Sequence, residues 1–154
     1  MTTTLTIDEL EQSGERELGT SSWHDITQEQ VNMFADATGD HQWIHVDPER
    51  AAEGPFGSTV AHGYLTLSML PMLLAEVVSV TDAMMGLNYG MEKIRFTNPV
   101  PVGSRVRAHA KLLKTQRRGP SLIWNVGVQV EIEGKEKPAL VGEVVYMVAG
   151  APGA

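Results

Sequence analysis

Apolar and polar residues alternate along this chain in two different rhythms. The first half carries helical spacing. Thr27 stands before Gln28 as a helix cap, and Gln30 completes a capping box. Ile26 and Val31 sit where a hydrophobic staple needs them, and Val31, Phe34 and Ala35 form an apolar stripe. Gly39 supplies a left-handed stop, so the spacing predicts a helix over 28–38. Asp47-Pro48 opens a second short helix, ended by Gly54-Pro55. From Gly63 to Val80 the chain is apolar on nearly every side, which predicts a surrounded core helix, kinked at Pro71. A polar N-terminal stretch over 1–20 holds a short helix over 6–14, and 20–26 reads as a first strand.

Past Val80 the period changes to two. Val106, Ala108, Ala110 and Leu112 alternate with Arg105, Arg107, His109 and Lys111. Leu122 to Ile132 alternates likewise, Leu140 to Val148 reads as a more apolar strand, and Gly86 to Phe96 as a fourth. Turns fall at Asn98-Pro99, Pro101-Val102-Gly103, Arg118-Gly119-Pro120 and Glu133-Gly134-Lys135. An all-apolar helix followed by antiparallel strands predicts an α+β fold. One curved antiparallel sheet wraps around a long central helix, the hot-dog arrangement, as a single domain over 1–154.

The bulk numbers narrow the class. A chain of 154 residues with 42% hydrophobic and 20% charged residues builds a core without staples. Without cysteine there is no disulfide, thiolate nucleophile or cysteine metal site, which fits a reducing cytoplasm. A net charge of −7 argues against nucleic acid as a partner. The start carries Asp8 and Glu9 and no basic run, unlike a signal peptide. The 63–80 run holds Glu76 and Pro71 and, at about 1.5 Å per residue, is short for a bilayer, so no membrane span is expected. Arg95, Arg105, Arg107, Lys111, Lys114, Arg117 and Arg118 read first as solvated strand faces, and second as an anchor for a phosphorylated ligand.

The chemistry concentrates in two pieces. Asp40 and His45 lie between two capped helices, and Gly63 opens the apolar helix. A carboxylate, an imidazole and a free amide at a helix start suit chemistry beside a carbonyl. Each residue also has a plain reading: Asp40 as a turn residue, His45 as a satisfied core histidine. His41 and His62 are expected to be structural or surface-facing, with His62 helping to position the loop. A metal hydrolase on Asp40, His41, His45 and Asp47 lacks a compact ligand motif, so no metal is expected.

Phe34-Ala35-Asp36-Ala37-Thr38-Gly39-Asp40-His41-Gln42-Trp43-Ile44-His45, followed by Ala51-Ala52, resembles the hydratase motif of MaoC-like dehydratases, the (R)-specific enoyl-CoA hydratases. Val60-Ala61-His62-Gly63 resembles that family's helix-opening segment, and Arg95 to Gly103 its strand and turn after the helix. Gln42-Trp43 replaces the usual Asn-Pro, which resembles the nodulation protein N-like subgroup. The resemblance implies a catalytic Asp40 and His45, a Gly63 amide on the thioester oxygen, and hydration of a trans-2-enoyl-CoA to an (R)-3-hydroxyacyl-CoA. It implies no cofactor, with CoA part of the substrate, and a homodimer. Trp43 is expected to narrow or floor an acyl pocket. Tyr64, Asn88 and Tyr89 line either that pocket or the core, and Arg95 and Arg105 are the candidate CoA anchors. Two rival readings stay open: a hot-dog thioesterase, for which Glu76 is the only acid in the central helix, and a non-catalytic acyl-CoA or acyl-carrier binding module.

Overall fold

A computed structural model describes residues 2–151. The chain runs β1 (Thr3–Leu5), α1 (Ile7–Gln12), β2 (Arg16–Thr20), β3 (His24–Asp25), α2 (Gln28–Thr38), α3 (Trp43–Val46), α4 (Pro48–Ala52), α5 (Gly63–Ser68), α6 (Leu70–Ala75), β4 (Val78–Val80), β5 (Met85–Phe96), β6 (Arg105–Arg118), β7 (Ser121–Ile132) and β8 (Leu140–Ala149). The large sheet is antiparallel in the order β2-β6-β7-β8-β5, with β3 also on β6. Its inner face presents Val106, Ala108, Ala110, Leu112, Leu122, Val126, Val130 and Leu140, all buried, to Leu65, Leu70, Leu73 and Leu74 of the broken central helix. This is the hot-dog arrangement. The period-two pattern sets the inner face because successive strand residues point to opposite sides.

Helix α2 has the predicted bounds. Thr27 accepts the Gln30 N–H at 3.1 Å, and Gly39 sits at φ 83°, the left-handed cap. The capping box is only half made, because the Gln30 amide reaches toward the Met69 sulfur instead. Helix α4 also forms as predicted, with Asp47 accepting the Arg50 N–H.

Several expectations need correction. The central helix does not run to Val80. It breaks at Met69, so that Pro71, which has no N–H to donate, falls in the first turn of α6. Val78–Val80 leaves the helix altogether and pairs in parallel with β1, a strand the N-terminal residues hid among polar neighbours. The expected strand over 20–26 divides: β2 ends at Thr20, Ser21 stays bonded to Ala108 of β6, and β3 resumes the pairing at His24. The central helix is not surrounded on every side either: Tyr64 is 67% and Met72 46% exposed. Strand β5, at the sheet edge, is open along almost its whole length.

Candidate active site

Gly39 turns the chain out of α2, and Asp40 follows at the surface. Its carboxylate has one long contact, accepting the Gln42 N–H at 3.4 Å. The helical turn α3, which the sequence did not announce, then carries His45 inward until it is 7% exposed. Gln28 holds this turn from α2: its amide donates to the His45 carbonyl at 2.8 Å, while its own oxygen accepts the Thr59 hydroxyl at 2.6 Å.

Val60 fixes the His45 ring. The Val60 N–H donates to the Ile44 carbonyl, and the Val60 carbonyl accepts from His45 Nδ1 at 2.6 Å. A carbonyl only accepts, so Nδ1 bears the hydrogen, and in the neutral ring the lone pair is on Nε2. That is the tautomer a general base needs.

Two residues on, His62 caps α5. Of the two expected roles for His62, structural or surface-facing, the surface-facing one does not hold: it is 2% exposed, because the ring is turned inward between Phe34 and His45. Its ring stacks on His45 with centroids 3.9 Å apart and planes inclined by 23°, and its Nε2 donates to the Asp40 carbonyl at 2.9 Å. One carboxylate oxygen of Asp40 and one ring nitrogen each of His45 and His62 lie within 4.8 Å of one another. A single water with two ordinary hydrogen bonds bridges such a gap. A shared metal does not fit. Nitrogen lone pairs lie in their ring planes, and stacked planes do not converge within the ~2.1 Å reach of a metal–nitrogen bond.

Gly63 is the first residue of α5, so its N–H has no intrahelical acceptor. The glycine is demanded by Phe96: a Cβ at position 63 would meet that ring at 2.9 Å. A cavity of about 280 Å³ adjoins Gly63, walled by Phe56, Thr66, Phe96 and Val100. Farther along the central helix a groove runs between α5–α6 and strands β5 and β8. It passes a hollow of about 230 Å³ beside Leu67, Ser68 and Met91 and one of about 210 Å³ beside Leu74 and Trp124, with Pro71, Asn88 and Tyr146 common to both. Burial pushes the Tyr146 phenol up to about 12, so it lines the groove as a neutral group.

The other expected ligand residues divide. Asn88 lines the groove, and Tyr64 meets the Phe96 ring edge-on at 5.7 Å. Tyr89, the next residue on β5, lines a separate polar depression with Lys114 and Arg118. Trp43, expected to narrow or floor an acyl pocket, does not line the hollows along the central helix or the cavity at Gly63. It packs against the backbone at Gly54, and the Arg50 guanidinium lies 4.3 Å from its ring centre. Arg105 is taken by Glu133. Arg107, Lys111 and Arg117 likewise pair with Glu131, Glu15 and the Asp8–Glu11 cluster, so most of the basic strand residues are a satisfied surface. Arg95 follows a different course: among the described residues its guanidinium donates only to the neighbouring Ile94 carbonyl, one residue from Phe96. His41 is exposed beside Asp36. Glu76, the acid a thioesterase would aim at its substrate, lies at the far end of α6 and accepts from Ser22 and His24.

Missed by sequence reasoning were Gln28 and the inward ring of His62. Gln28 looked like an ordinary first-turn residue. The one available signal for His62 was its place directly before the glycine that opens the apolar helix.

Comparison with known proteins gives a consistent picture. A family model described as MaoC like domain matches residues 9–133. The chain is 50% identical over 146 residues to 3-hydroxyacyl-thioester dehydratase Z of Mycobacterium tuberculosis strain H37Rv, covering 94% of this chain and 97% of that one. It is 47% identical over 140 residues to nodulation protein N of Rhizobium leguminosarum bv. viciae, covering 89% and 87%. Among solved structures it resembles the (R)-hydratase from A. caviae involved in PHA biosynthesis, with a TM-score of 0.69, 25% identity, and coverage of 84% and 95%.

Proposed function

The chain belongs to the MaoC-like domain family as a dehydratase/hydratase, and from that premise we propose that it hydrates a trans-2-enoyl-CoA reversibly to the (R)-3-hydroxyacyl-CoA. The observation that carries this reading is the His45 ring, held at Nδ1 by the Val60 carbonyl, with a ring nitrogen within 4.8 Å of the Asp40 carboxylate.

In the hydration direction Asp40 and His45 hold one water between them. One of the pair removes a proton as the oxygen attacks C3, and the proton reaches C2 from the same water-binding pair. Negative charge gathers on the thioester oxygen as the C2–C3 double bond is consumed. The Gly63 N–H meets that oxygen, and the missing Cβ lets it approach. Acid/base assistance of this kind contributes roughly 10²–10⁴ in rate. Asn88 and Tyr146 border the groove along which an acyl chain extends. The CoA moiety stays outside, with the exposed Arg95 guanidinium, one residue from Phe96, as its anchor.

The occupied Glu76 carboxylate disfavours the thioesterase reading. Turnover separates hydration from a binding-only module. The deciding experiment follows the absorbance of the enoyl thioester over a crotonyl-to-long-chain CoA series, with chiral analysis of the product. Loss of absorbance with an (R)-3-hydroxyacyl product is expected. Release of free CoA thiol with the enoyl absorbance retained favours a thioesterase, and tight binding without turnover favours the module.

A further inference from the structure

We propose that His62 is a positioning residue that sets both members of the acid/base pair; the inference rests on the hydratase reading of Asp40 and His45. Asp40 is exposed, and its carboxylate has only the long Gln42 contact to orient it. What ties it to the site is its own carbonyl, which accepts the His62 Nε2 hydrogen at 2.9 Å. The same imidazole lies flat against His45 at 3.9 Å and limits the plane in which the Nε2 lone pair of His45 points. Phe34, at 4.9 Å, backs the His62 ring, and the next residue is Gly63. One side chain thus refers the carboxylate, the base and the amide-bearing residue to each other.

The energetics point the same way. Among the described residues, no protein group hydrogen-bonds the buried His62 Nδ1. A buried polar atom left unsatisfied costs about 1–3 kcal/mol. A phenylalanine of similar shape would stack on His45 and avoid that cost. The imidazole is therefore the poorer choice for packing, and what it adds is the single Nε2–H bond to Asp40. Misplacement of a reacting group by about 1 Å costs up to about 10²-fold in rate, so a bond that only positions Asp40 has a measurable effect.

His62→Phe keeps the ring and removes the donor. His62→Gln keeps an N–H near the Nε2 position and removes the stack. Asp40→Asn serves as the control for the underlying reading. For each, kcat and KM for crotonyl-CoA hydration are measured with the melting temperature. We expect His62→Phe to melt at or above the parent, to lose about tenfold or more in kcat, and to keep its KM. His62→Gln should retain more kcat than His62→Phe. If His62→Phe keeps kcat within twofold while Asp40→Asn is inactive, the inference fails and the hydratase reading stands. If activity losses in both His62 variants merely follow loss of folded protein, His62 is a packing residue and the inference also fails. An active Asp40→Asn removes the reading and the inference together. Should His62→Phe not fold, His62→Gln decides: a several-fold lower kcat at unchanged KM and melting temperature supports the inference, and an unchanged kcat overturns it.

Discussion

The Nδ1 hydrogen of His45 is given to the carbonyl oxygen of Val60 at 2.6 Å, across fifteen residues of sequence. That contact decides which face of the imidazole is free. Asp40→Asn removes the anionic acceptor, and His45→Gln removes the titratable nitrogen. Each should lower kcat by about 10²-fold or more, or about 2.7 kcal/mol of transition-state stabilisation. Since both hold one water, the double variant should lose far less than the product of the two. Steady-state kinetics on folded variants checks this; near-parental rates in both would end the hydratase assignment.

Gly63→Ala places a methyl group against the Phe96 ring, where 2.9 Å is too close for two carbons. Overpacking of this kind costs about 1–3 kcal/mol, and a displaced amide also lowers kcat. Adding Phe96→Ala removes the overlap. Denaturation midpoints should show the double variant less destabilised than the sum of the single ones, and additive losses would mean the contact is not the constraint.

Strand β5 should form a two-fold interface with a second copy. It exposes Met85, Leu87, Tyr89 and Met91 along an unpaired edge, and open apolar edges invite pairing. Leu87→Lys with Met91→Lys should shift the protein toward monomer in sedimentation velocity. A parent that sediments as a fully active monomer contradicts the expectation.

Glu76 gives stability a pH dependence. Chiefly the Ser22 backbone N–H, and then His24 and the Ser22 hydroxyl, hold its carboxyl below its ordinary 4.5. Folding therefore favours the ionised form. The contribution is full above the ordinary value and is lost as pH falls through the lowered one. Melting temperatures of the parent and Glu76→Gln should differ near neutrality and converge in acid. Curves that stay parallel down to low pH would exclude this linkage.

Arg95→Ala should raise KM for a CoA thioester, leave kcat nearly unchanged and weaken the salt dependence of kcat/KM, as expected for an exposed phosphate contact. Arg105→Ala should change neither, since Glu133 already holds that guanidinium. An unchanged KM and salt dependence for Arg95→Ala places the anchor elsewhere.

Much of this protein is written in local pattern. The caps at Thr27, Gly39 and Asp47 specify α2 and α4 from nearby residues, because a cap is a contact over three or four positions. Alternation over 106–112 and 126–132 specifies which strand face is buried, because the pleat has a period of two. The spacing of Asp40, His45 and Gly63 brought the site into view together with the family motif. Contacts between distant residues were decided only in three dimensions. The pairing of Val78–Val80 with Thr3–Leu5 joins segments more than seventy residues apart. Trp43 is sequestered by Arg50 and Gly54, and Arg105 by Glu133, through neighbours no period announces. The inward turn of His62 depends on Asp40, His45 and Phe34 meeting in one place. A hydrophobic pattern states only that a residue is buried, whereas the direction of a ring nitrogen is set by whichever carbonyl the fold brings opposite it.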